Sequence, residues 1–176
     1  MSLEGFAIIP QLLTKEHARG LFTSYYFRND HLHERIPDME GIKRTSCNNM
    51  PLMRLLHMLT EKLVTNITGE SLKASYSFTS AYESGSNLPA HRDRPQCVYN
   101  ISLMLGGSPT WVPLTSWPLY IQYGNVTTPV ALGEGDAVLY SGTRDLHWRE
   151  VMPKDLALAL GVFLHYVPAD FTGSLD

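Results

Sequence analysis

The stretch Tyr82-Glu83-Ser84-Gly85-Ser86-Asn87-Leu88-Pro89-Ala90-His91-Arg92-Asp93 decides how the chain is read. It passes from an aromatic residue through turn-forming residues to an imidazole and a carboxylate two positions apart. In an extended backbone residues i and i+2 face the same way, so His91 and Asp93 can reach one ion. A third donor, His147, lies downstream in the segment GDAVLYSGTRDLHWREV, residues 135–151. The rest of the chain is then a scaffold that must bring His147 beside His91 and Asp93.

Alone, His-x-Asp is a weak signal, because a chain with 7 histidines meets it readily by chance. Its surroundings strengthen it. Lys73 to Glu83 has strand character, with Tyr76, Phe78, Ser80 and Tyr82 on one side. A Gly/Ser/Asn/Pro turn follows, then the ligand pair, then a second strand-like run, CVYNISLML, from Cys97. Two imidazoles and one carboxylate on one face of a metal leave further positions open, the arrangement used by non-haem Fe(II) oxygenases. The bland alternatives are a surface His–Asp turn and a hydrogen-bonded core His147.

At 176 residues the chain is expected to form one domain, 1–176, with a substantial core. A net charge of −3 and a pI near 6.1 give no footprint for nucleic acid or an anionic membrane. No apolar run is long enough to cross a bilayer. The start, MSLEGFAIIPQLL, lacks a basic region and a small-residue cleavage site, so a cytoplasmic location is expected. Cys47 and Cys97 are accordingly read as reduced thiols. The sequons at Asn66, Asn100 and Asn125 are read as chance.

Phe6 to Pro10 reads as a first strand, and Thr14 can cap a helix from Lys15 to Phe27. Arg28 to Met50 is polar and rich in turn residues, and reads as a long loop of the kind that forms lids. Its His31-x-His33 has no evident third partner. Pro51 suits the first turn of a second helix, ended by Gly69. Leu52, Leu55, Leu56, Leu59, Leu63 and Ile67 form a helical stripe expected to pack on a sheet. About eight strands then follow with turns between them, which suggests a sandwich or open barrel. Trp111, Trp117 and Trp148 read as core or rim.

The chain resembles the Fe(II)/2-oxoglutarate oxygenases, in particular their prolyl-4-hydroxylase-like branch. The residues carrying the resemblance are Tyr82-x-x-Gly85-x-x-Leu88-x-x-His91-x-Asp93, then Gly135-Asp136, then His147. The opening Gly5-Phe-Ala-Ile-Ile-Pro10 followed by a helix is similar too. The resemblance implies a mainly β fold with N-terminal helices: a double-stranded β-helix, the cupin-like jelly roll. Helical support would span about 14–68 and the jelly-roll core about 73–168. It also implies Fe(II) held by His91, Asp93 and His147, with 2-oxoglutarate and O2 as cosubstrates and ascorbate as an auxiliary reductant. The expected reaction is hydroxylation of a C–H bond with release of succinate and CO2. Asp93 argues against a halogenase of this superfamily, where a small residue vacates that position.

The distal carboxylate of 2-oxoglutarate needs a cation and hydrogen-bond donors. Relatives carry Arg or Lys about ten residues after the distal His, but here that position lies near Ala157. Arg149, two residues after His147, and Lys154 are the candidates. Tyr82 and Tyr99 are candidate hydroxyl donors, and Arg94, Arg144 and the polar loop near residues 28–50 are candidate contacts for an anionic substrate. The substrate is expected to be a small molecule, an amino acid or biosynthetic intermediate. The alternatives are a prolyl or other side chain of a peptide or protein, and a metal-binding jelly roll that does not use 2-oxoglutarate.

Overall fold

The computed structural model describes residues 5–27 and 42–175. Most of the anticipated loop, including His31 and His33, lies outside them. Strand β1 (Ala7–Ile9) leads into helix α1 (Lys15–Phe27), the span read from the sequence. After it come β2 (Arg44–Asn48) and α2 (Pro51–Thr68). Eight strands complete the chain: β3 (Leu72–Glu83), β4 (Leu88–His91), β5 (Tyr99–Ser108), β6 (Leu119–Tyr123), β7 (Val126–Val130), β8 (Ala137–Tyr140), β9 (Leu146–Arg149) and β10 (Leu158–Pro168).

These strands form two antiparallel sheets. The larger is ordered β1-β8-β5-β10-β3-β2 and the smaller β4-β9-β6-β7. β10 sits between β5 and β3, and its run LALGVFLHYVP is apolar because both of its faces are covered. On the outer face Leu160, Val162 and Leu164 join Ile101, Leu103 and Leu139 beneath the helices. On the inner face Tyr82, Met104 and Tyr140 meet Trp117, Leu119 and Ile121 of the smaller sheet side. This is the double-stranded β-helix expected from the resemblance.

Two local motifs fix the helical layer. Thr14 Oγ1 accepts from the His17 N–H at 3.3 Å, capping α1. The Gly135-Asp136 turn fastens the chain just before α1. Asp136 Oδ1 accepts from the Gln11 N–H at 3.0 Å, and Gly135 packs so closely that a Cβ there would lie 2.1 Å from the Leu13 carbonyl oxygen. Gly69 ends α2 with φ 75°, a left-handed conformation that glycine adopts without a Cβ penalty.

Two expectations need correction. First, the stretch from Arg28 to Met50 is not loop throughout, since Arg44–Asn48 forms an edge strand against β3. Its polar sequence hides the pairing, but inward Ser46 shares a 2.5 Å hydroxyl hydrogen bond with Ser80. Second, α2 buries Met53, His57, Thr60 and Val64 rather than the leucine stripe. Leu52, Leu55 and Leu59 are 49%, 52% and 70% exposed, and only Leu56 and Ile67 pack against the core. The reason is polar: His57 Nε2 bonds the His165 carbonyl at 2.7 Å, and Thr60 bonds the Tyr166 hydroxyl at 2.6 Å. Satisfied polar groups select the buried face, and hydropathy alone misses them.

Candidate metal centre

The register of β4 against β9 solves the problem of distance along the chain. It sets His91 directly opposite His147 as a cross-strand pair. Asp93 lies just past the end of β4, where its N–H donates to the Gly142 carbonyl at 2.9 Å. His91 Nε2 is 3.5 Å from Asp93 Oδ1, and His147 Nε2 is 3.5 Å from Asp93 Oδ2. One donor atom from each of the three lies within 4.8 Å of the others. Adjacent ligands about 2.1 Å from an ion are roughly 3 Å apart, so small side-chain adjustments suffice to close the shell.

Both imidazoles are tethered from behind. His91 Nδ1 donates to the Pro89 carbonyl at 2.8 Å, and His147 Nδ1 to the Asp145 carbonyl at 3.0 Å. Each tether leaves Nε2 as the lone-pair donor facing the centre. Asn100 donates its side-chain amide to Asp93 Oδ2, and its carbonyl accepts from His165 Nδ1. Burial is the largest influence on His147 and holds it below the ordinary imidazole range. For Asp93 burial acts upward. The hydrogen bond with His91 and the charges of His147, His165 and His91 outweigh it and keep the carboxyl below its usual value. A neutral imidazole and an ionised carboxylate are the ligand forms a metal requires.

The trio opens into a cavity of about 560 Å³, lined in part by Tyr76, Phe78, Tyr82, Tyr140 and Phe163. The inward parity read for β3 is therefore correct at Tyr76, Phe78 and Tyr82. Arg149 follows His147 on the same face of β9 and is 4% exposed, packed behind the residues that line the cavity rather than among them. It donates to the Trp117 carbonyl, and its guanidinium lies 4.7 Å from the Trp117 ring. Among the described residues it has no carboxylate partner. Burial pulls it down to about 10, against the opposing pull of Tyr82 and Tyr140. A buried cation without an acid among the described residues fits a dicarboxylate that carries its own negative charge.

The remaining candidates separate. Tyr82 is 2% exposed, edge-on to Trp117 at 5.2 Å, and its hydroxyl accepts from Arg44 Nη1 at 3.2 Å. Tyr99 does not face the cavity. It belongs to the outer cluster beneath the helices, and its hydroxyl donates to Glu70 Oε1 at 2.5 Å. Strand alternation explains this: on β5 the inward residue is Asn100. Lys154 is exposed and absent from the cavity wall. Sequence reasoning missed Asn100, Tyr140 and His165 and reached Arg44 only as part of the polar loop 28–50; all four line the cavity. An amide and an imidazole inside the apolar runs CVYNISLML and LALGVFLHYVP were the available signal.

No family model matches this sequence, and no curated protein matches it either. Solved structures match closely in shape. The non-haem α-ketoglutarate-dependent epimerase SnoN from nogalamycin biosynthesis is 15% identical, with a TM-score of 0.77 over 94% of this chain and 78% of SnoN. HygX from Streptomyces hygroscopicus, solved with nickel and 2-oxoglutarate bound, is 12% identical, with a TM-score of 0.70 over 96% and 85%. A Pseudomonas putida prolyl-4-hydroxylase is 18% identical, with a TM-score of 0.65 over 93% of each chain. The chain has the double-stranded β-helix fold of the Fe(II)/2-oxoglutarate-dependent dioxygenases.

Proposed function

We propose that this chain, acting as one domain over residues 1–176, is a non-haem Fe(II)- and 2-oxoglutarate-dependent dioxygenase. Its reaction is hydroxylation of a C–H bond of a small molecule, an amino acid or biosynthetic intermediate. One atom of O2 enters the substrate and the other enters succinate, with CO2 released. The observation that carries the reading is the meeting of His91, Asp93 and His147 donor atoms within 4.8 Å. Similar structures include HygX with hygromycin B bound and SnoN with nogalamycin RO, which favours a small molecule over a peptide. The prolyl-4-hydroxylase neighbour supports the peptide alternative. Among the described residues no helix is long and apolar enough to cross a membrane. Cys47 and Cys97 form no disulfide among the described residues, which suits a reducing cytoplasm.

His91, Asp93 and His147 would hold iron through Nε2, a carboxylate oxygen and Nε2. Bound iron with 2-oxoglutarate and O2 supplies the oxidising chemistry that side chains lack. Arg149 would receive the distal carboxylate of 2-oxoglutarate, with Tyr82 and Tyr140 forming the polar wall beside it. Leu88, Leu119 and Phe163 line the same cavity and keep water from the reacting carbon. Isothermal titration of the Mn(II)-loaded protein with 2-oxoglutarate tests the reading. Binding in the micromolar range is expected, and its loss in His147→Ala or Asp93→Ala. No binding at millimolar concentration would leave a metal-binding jelly roll without this cosubstrate.

A further inference from the structure

The cavity wall is unbalanced in charge. Among the described residues it carries three guanidinium groups, Arg44, Arg92 and Arg94, against the single carboxylate of Asp93. None of the three is in an ion pair among the described residues. Two further cations nearby are already committed: Arg144 Nε and Nη2 bond Asp145 at 2.7 and 2.9 Å, and buried Arg149 is assigned to the cosubstrate. A divalent ion and a dianionic cosubstrate would cancel each other, so the filled site still keeps an excess of positive charge.

Aromatic rings, rather than acids, hold two of these cations, Arg44 and Arg94, whereas Arg92 Nε donates to the Arg144 carbonyl at 2.9 Å. The Arg44 guanidinium lies 5.2 Å from the Phe78 ring and 5.7 Å from the Tyr82 ring. Its one hydrogen bond among the described residues goes from Nη1 to the Tyr82 hydroxyl, and no described residue takes up the rest of the fork. Arg94 lies 5.3 Å from the Tyr76 ring and donates to that hydroxyl at 2.7 Å. A ring face orients a guanidinium without neutralising it, so its donor edge remains ready for an oxyanion. Phe78 and Phe163, with ring centroids 6.2 Å apart, supply an apolar wall to the same cavity beside Arg44.

We propose that the substrate carries an oxyanion, a carboxylate or phosphate, received by Arg44, with its carbon body against Phe78 and Phe163. Arg44 is the main anchor because it is half-buried, where ion pairs are screened least; exposed Arg94 adds attraction at the rim. The inference deepens the oxygenase reading and rests on it. A cationic substrate would meet repulsion, and a neutral one would leave the Arg44 fork unpaired.

Four probes of matched shape test this by titration into the Mn(II)-loaded protein saturated with 2-oxoglutarate. They are 3-phenylpropanoate, 2-phenylethyl phosphate, the neutral 3-phenylpropanamide and the cationic 3-phenylpropylamine. At least one anion is expected to bind about tenfold tighter than the amide, and the amine weakest. Arg44→Gln should remove that preference, Arg44→Lys should retain part of it, and Arg94→Gln should weaken it less. Which anion binds better identifies the group. Equal binding of anion and amide, a preference for the amine, absence of anion binding up to roughly 10 mM, or a preference that survives Arg44→Gln would each overturn the proposal. The two readings fail separately. If 2-oxoglutarate itself does not bind, the oxygenase reading falls; if it binds and charge makes no difference, only the substrate inference falls.

Discussion

The side-chain amide of Asn100 is bound at both ends, donating to Asp93 Oδ2 and accepting from His165 Nδ1. It thereby holds the carboxylate in one orientation against the two Nε2 atoms. Asn100→Ala is expected to lower divalent-metal affinity by about 10- to 100-fold, the range typical of groups that orient a ligand. Metal titration by calorimetry measures this, with circular dichroism reporting the fold. Unchanged affinity in a folded variant would mean that Asp93 needs no support.

Gly142 approaches the same bond from the other side. A Cβ at this position would lie 2.5 Å from Asn100 Nδ2, from Asp93 Oδ2 and from the Cys97 carbonyl oxygen. Gly142→Ala should therefore displace Asp93, weaken metal binding and cost about 1–3 kcal/mol through overpacking. Gly20→Ala is the counterpart, because nothing lies within 4 Å of its Cβ on exposed α1. There alanine should stabilise by about 1 kcal/mol. Urea denaturation of both variants separates the cases, and equal effects would contradict the packing argument.

Arg149 has no acid to neutralise it among the described residues. Arg149→Gln should raise the 2-oxoglutarate requirement by about 30-fold or more, corresponding to the roughly 2 kcal/mol lower limit for removing one partner of a buried charge pair. Metal affinity should change little. The apparent constants for 2-oxoglutarate and Mn(II), measured side by side, decide the matter. An unchanged cosubstrate requirement would point to Arg44 as the receptor.

Stability should fall in mild acid. Burial lowers His165 from 6.5 to about 3 and lowers His57 as well. Below about pH 6.5 the unfolded chain takes up protons that these folded imidazoles refuse. Their contribution is thus present above that pH and lost as pH falls through the lowered folded values, which for His165 is about 3. His91 is shifted upward and acts in the opposite sense. Urea midpoints of the metal-free protein between pH 7.5 and 5 should decline, less so in His57→Gln and His165→Gln. Identical slopes in all three proteins would show that these imidazoles do not govern acid stability.

What the sequence revealed follows from which interactions leave a periodic mark. The bounds of α1 and the inward side of β3 were legible because caps and alternation are local. The ligand trio was legible because its spacing is chemical. The buried face of α2 was not, since it depends on the His165 carbonyl and the Tyr166 hydroxyl of β10. Tyr99 was misassigned by one residue, which on a strand reverses the face. Arg44 was read only as part of a polar loop because its strand is short and polar at a sheet edge, where neither hydropathy nor propensity announces a strand.

The backbone carbonyls of Pro89 and Asp145 stand behind the two imidazoles. Because of them, ring rotation at both positions is surrendered while the polypeptide folds, before any cation arrives. Capture of the ion then calls for stripping its water and for small side-chain shifts, so most of the socket is built before its guest arrives.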